Sequence, residues 1–72
     1  MNIRVVPLPN HQSQGIKFDA LFEDGYIKTF EVDEYKLRHY RSASIADIIE
    51  QILLDYLADN GYSIDSVSIT YL

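Results

Sequence analysis

The chain has 72 residues, no cysteine, and 11 acidic residues against 6 Lys and Arg, for a formal net charge of -5. That length allows one domain near the lower limit at which a single core holds a fold without staples, and the missing cysteine excludes disulfides and thiolate metal sites. The acidic balance disfavours broad binding to a phosphate backbone. No apolar run approaches the roughly 20 residues of a membrane span, so a cytoplasmic chain with no membrane partner is expected.

Residues 2–6 alternate Ile3 and Val5 with Arg4 and Val6, the pattern of a short strand. Pro7 and Pro9 remove two backbone donors, which predicts that this strand stops early and lies at a sheet edge. Residues 10–15 are polar and read as a loop.

The next stretch specifies a hairpin. Ile16, Phe18, Ala20 and Phe22 fall on one face at period two. Asp24-Gly25 suggests a two-residue turn, but that register sets Phe18 against Glu31 and spoils both faces. A three-residue loop over 23–25, with Gly25 left-handed in a bulge, pairs Phe22 with Tyr26, Ala20 with Lys28, Phe18 with Phe30 and Ile16 with Val32. Lys17 then meets Glu31 and Leu21 meets Ile27 on the opposite face. Lys28 is the inner-face exception, expected to snorkel past small Ala20.

Residues 33–41 fit a strand extension, a helical turn or an edge wrap. They hold half of the Lys and Arg, as Lys36, Arg38 and Arg41, interleaved with Tyr35, His39 and Tyr40.

Residues 44–61 carry the one strong helix. Ser44 is the expected N-cap, with Ser42 as the alternative. Ile45, Ile48, Ile49, Ile52, Leu53, Tyr56 and Leu57 form its apolar face, and Asn60-Gly61 supplies a left-handed stop. Tyr62 and Ile64 are expected to cover the helix end. Val67, Ile69 and Tyr71 then alternate with Ser66, Ser68 and Thr70 in a final strand, which the returning helix allows to run parallel to the third. The fold class is α+β, in the order β-β-β-α-β: a small, mostly antiparallel sheet of 3–4 strands with one amphipathic helix on one face.

Chemistry is sparse. The three glycines are each explained as a loop end, a bulge and a helix stop, leaving no phosphate cradle. His11 and His39 belong to no ligand cluster, so no metal or cofactor is expected. One helix on a small sheet offers little room for a cleft holding paired carboxylates, which argues against an enzyme unless a partner completes the site.

Three surfaces stand out. On the outer helix face Leu54 sits among Asp47, Glu50, Gln51 and Ala58, an acidic-rimmed apolar contact for a protein with a basic surface. The basic-aromatic segment of Tyr35, Lys36, Arg38, His39, Tyr40 and Arg41 carries the residue types that stack on bases and grip phosphate, the alternative reading, weakened by the net acidity. Leu21 and Ile27 on the open sheet face suit a contact with a second copy, a homodimer. The first reading is preferred: a non-catalytic protein-binding module acting as inhibitor, adaptor or accessory subunit. In size and acidity it is similar in general character to the small inhibitors encoded by phages and mobile elements, anti-CRISPR-type proteins among them.

Overall fold

The computed structural model describes residues 1–9, 15–40 and 44–72. Its sheet grows from the hairpin. β2 (Ile16–Leu21) and β3 (Ile27–Val32) pair antiparallel with Phe18 opposite Phe30, Ala20 opposite Lys28 and Lys17 opposite Glu31. The Phe22 amide donates to the Tyr26 carbonyl at 2.9 Å and the Gly25 amide to the Phe22 carbonyl at 3.0 Å, with Gly25 at φ 90°. The three-residue loop therefore forms as the face arithmetic requires. Asp24 accepts from the Tyr26 amide at 2.9 Å and pins the loop from within.

The first strand departs from expectation. β1 (Asn2–Leu8) runs through Pro7 and lies inside the sheet, whose order is β3-β2-β1 followed by β4 (Ser68–Tyr71). β1 pairs antiparallel with β2 and parallel with β4, setting Ile3 opposite Ile69. The expected edge is wrong because only one side of Pro7 matters. The carbonyls of Met1 and Val5 accept from Ser68 and Leu72 of the β4 segment. By alternation the Pro7 nitrogen faces that same side, beyond the last β4 rung, where no ladder bond is lost. Ile3 and Val5 are consequently fully buried. The final strand shares the direction of the third, as allowed, yet lies at the opposite end of the sheet.

α1 (Glu34–Leu37) and a 3₁₀ turn (Arg38–Tyr40) resolve the ambiguous segment as helical. Asp33 caps α1 by accepting from the Lys36 amide at 2.9 Å. α2 (Ile45–Asp59) starts at Ser44, whose hydroxyl accepts from the Asp47 amide at 3.2 Å. It ends in a Schellman motif: Gly61 at φ 79° donates to Ala58 at 3.1 Å and Tyr62 donates to Leu57 at 2.9 Å. Ser42 and the loop expected over 10–14 lie outside the described residues.

The core lies between α2 and one sheet face, where Ile49, Leu53 and Leu57 meet Ile3, Val5, Phe18 and Ala20. Three expected cover residues do not take part. Ile45, at the first helical position, is 62% exposed, and Tyr62 and Ile64 beyond the helix are about half exposed. Ile45 faces Pro7, Leu8 and Ile16 across an open groove, and the burial of the face begins at Ile48. Lys28 finds a partner on the way out: its ammonium lies 5.5 Å and 5.4 Å from the ring centroids of Phe30 and Tyr56. An inward charge on β3 also blunts that free sheet edge. The architecture is α+β, a four-stranded mixed sheet with one long and one short helix. No described helix is long and apolar enough to cross a membrane.

Candidate protein-binding surface

The acids of α2 are exposed along the helix but do not share one face: Asp55 and Asp59 turn toward β3 and α1, where they line a groove with Val32 and Lys36. Asp47, Glu50, Gln51, Asp55, Ala58 and Asp59 are exposed, while Leu54 between them is half-buried rather than open. Asp55 and Asp59 belong to the surface and were missed by reasoning from Leu54 alone. Their spacing from Gln51 and Asp55, four residues each, was the available signal. α2 contains four acids and no cation. Among the described residues none of these carboxylates is in an ion pair, although Gln51 donates to Asp55 at 3.0 Å.

The placement of these charges has an energetic sign. Asp47 in the first turn complements the positive end of the helix, whereas the last turn holds Asp59 and no basic residue. Asp59→Asn is thus expected to stabilise the chain by a few tenths of a kcal/mol at low ionic strength, a gain that vanishes in molar salt. Urea titrations at the two salt concentrations check it; a salt-independent effect would show that the dipole is not the cause.

Tyr71 ties the sheet to the start of α2, donating to the Ala46 carbonyl at 3.0 Å. Partial burial, then the nearby charges of Glu50 and Asp47, hold its hydroxyl above the usual tyrosine pKa of 10.0. The neutral, donating form is the one the fold favours. Its stabilisation is complete below about pH 10 and is lost as pH rises beyond it.

The basic-aromatic segment is exposed over most of its described residues. Tyr35 is 75% exposed, but the Arg38 guanidinium sits 5.5 Å from the Tyr35 ring centroid and 3.5 Å from a Glu34 carboxylate oxygen. Lys36 and His39 are exposed and Tyr40 is half-buried. Arg41 lies outside the described residues, as does His11. Arg38 thus makes one exposed contact with Glu34, a weak pair that leaves most of its donors open.

On the open sheet face the register places Arg4, Leu21 and Ile27 in one row. Ile27 is 57% exposed while Leu21 is half-buried, contrary to the expectation that both are open. Asp19 accepts from the Thr29 hydroxyl in the neighbouring row, so the apolar pair is bordered by satisfied polar groups. Among the described residues no three His, Asp or Glu side chains come together as a metal group would require. Compared with family models, curated proteins and solved structures, the chain matches none.

Proposed function

We propose that the chain is a non-catalytic protein-binding module that presents the outer face of α2 to a partner with a basic surface, and so works as an inhibitor, adaptor or accessory subunit in the cytoplasm. The observation that carries this reading is the run of four exposed carboxylates on one helix, none of them in an ion pair among the described residues, although Lys36 shares a groove with Asp55 and Asp59. Like charges along one helix and acids at its C-terminal end both oppose helix formation, so the arrangement costs stability that a partner's cations recover on binding. Rim charges of this kind accelerate encounter and choose the partner, while Leu54 supplies apolar contact at the centre. Leu54 contributes less than an open leucine, since part of its surface is already covered.

The test is capture of the partner by the wild-type chain and by a Glu50→Lys/Asp55→Lys double variant, each at low and at molar salt, with and without nuclease. Both substituted positions are exposed, so the fold is retained. The expected result is one stoichiometric protein, held at low salt, released by molar salt, and bound roughly tenfold more weakly by the double variant. Undiminished capture by the double variant would refute the helix face. Loss of all captured material to nuclease would move the function to nucleic acid and to Arg38.

A further inference from the structure

Beside the loop of the β2–β3 hairpin, under the C-terminal end of α2, lies a cavity of about 250 Å³. Its aromatic walls are Phe22, Tyr26, Tyr56 and Tyr62, and its rim carries Glu23 and Asp24. Each is fixed for a local reason. Phe22 and Tyr26 are the closing pair of the hairpin loop, joined by a backbone bond of 2.9 Å, with ring centroids 5.8 Å apart. Tyr56 stands in the last turns of α2, its ring 6.0 Å from that of Phe22. Tyr62 is set by the Schellman hydrogen bond to Leu57. Tyr26 and Tyr62 are 52% and 51% exposed, so their faces are open to a visitor.

This corner gathers several groups that attract a cation. Aromatic faces are negative, Glu23 and Asp24 are carboxylates, and the carbonyl end of α2 arrives there without a basic residue in its last turn. The backbone bonds already made by the two acids, from Asn2 to Glu23 and from Tyr26 to Asp24, use one oxygen of each. Among the described residues the second oxygen of each makes no hydrogen bond. Met1 also borders the cavity, and its ammonium stays positive while donating to the Ser66 carbonyl at 2.8 Å, so Glu23 and Asp24 are what must outweigh it for a cationic visitor. Tyr56 already serves the ammonium of Lys28, which leaves Tyr26 and Tyr62 as the rings to be used.

We propose that this cavity receives an arginine side chain of the protein partner, with its guanidinium stacked on Tyr26 and Tyr62 and hydrogen-bonded to Glu23 or Asp24. The inference rests on the reading of the chain as a binder of a basic protein. A guanidinium fits better than an ammonium because it is planar, weakly hydrated and able to stack and fork at once. A volume of this size also takes one side chain rather than a drug-sized molecule. The chain builds the same combination for itself, where Arg38 lies over Tyr35 and against Glu34.

The probe is N-acetyl-arginine amide, titrated into the full chain and followed by amide and ring resonances, with N-acetyl-citrulline amide as its neutral isostere. Saturable shifts confined to Tyr26, Tyr56, Tyr62 and residues 23–25 are expected from the arginine probe, at least tenfold weaker with citrulline. Tyr26→Ala and Tyr62→Ala should each weaken binding about two- to fivefold. The Glu23→Gln/Asp24→Asn pair, which keeps the backbone acceptors, should weaken it without touching the rings. Equal response to citrulline, or shifts that never saturate, overturn the proposal. Because the titration reads the cavity without a partner, its failure beside salt-sensitive capture removes the cavity alone. Success beside capture indifferent to the Glu50 and Asp55 reversals removes the helix face alone.

Discussion

Phe18→Ala is expected to cost about 3–5 kcal/mol and to bring the chain close to unfolding at room temperature. Phe18 is 1% exposed, sits on β2 between Pro7 and Phe30, and stacks on Phe30 at 5.2 Å between centroids with the planes 13° apart. Truncation removes the largest fully buried side chain and leaves a void between β2 and α2 that backbone pairing on both sides of the strand prevents from closing. It also deletes a ring pair worth about 0.5–1.5 kcal/mol beyond area. A chain of this length holds only about 4–11 kcal/mol in total at the usual 0.05–0.15 per residue. The loss is therefore a large fraction of everything available. Circular dichroism in urea should show the midpoint falling toward zero denaturant, whereas Ile27→Ala, at a site 57% exposed, stays within about 0.5 kcal/mol of wild type. Equal midpoints for the two variants would mean that the core is not seated on β2.

The same residue shows why the hairpin was legible in advance. Register has a period of two, so a slip at Phe18 would turn every neighbour to the wrong face, and only the three-residue loop satisfies Phe18, Phe30, Lys17 and Glu31 together. Local capping was equally readable at Ser44 and Gly61. What failed were statements about the far side of an element. Pro7 signals a missing donor but not which side of the strand lacks it, and the answer depends on where β4 ends. Ile45 obeys the helical period, yet period says nothing about how closely the first turn of a helix approaches its sheet. The candidate surface divides in the same way. The acids of α2 follow from spacing alone, while the cavity joins Tyr26, Tyr56 and Tyr62 from three separate stretches that no local pattern connects.

The charge distribution links these surfaces. α2 carries four of the eleven acidic residues and none of the six Lys and Arg, while Glu23 and Asp24 add two more acids at the foot of its C-terminal end. The proposed partner, if it met the helix face with a basic surface, would thereby be within reach of the aromatic cavity. On the proposed reading the helix face would set the rate and orientation of encounter, since its carboxylates are exposed and screened by salt. The cavity, with rings on its walls, would then govern how long the proposed complex lasts.

The second large effect is expected at Gly15, which the sequence marks only as the end of a loop. Gly15 precedes β2, and the pairing of Ile16 with Val32 brings it against the end of β3. A methyl group there would press into the Val32 carbonyl, with the Val32 carbonyl carbon at 3.0 Å and the Asp33 α-carbon at 3.1 Å. These are backbone atoms that no rotamer change can move aside. Val32 is 4% exposed, and Asp33 is the cap that starts α1. Relief of the clash must therefore open the last rung of the hairpin, displace a buried valine, or release the cap. Gly15→Ala should cost about 1–3 kcal/mol on the scale of overpacked sites. Gly25→Ala provides the contrast: nothing lies within 4 Å of the added carbon, but φ of 90° makes the backbone itself the obstacle, at about 1 kcal/mol. Hydrogen exchange separates the two mechanisms. In Gly15→Ala the Lys36 amide, which donates to the Asp33 cap at 2.9 Å, should lose protection; in Gly25→Ala it should keep it, with the change confined to the amides of Gly25 and Tyr26. A Gly15→Ala chain as stable as wild type, with Lys36 still protected, would mean that β2 and β3 do not approach as closely at this end as the register requires.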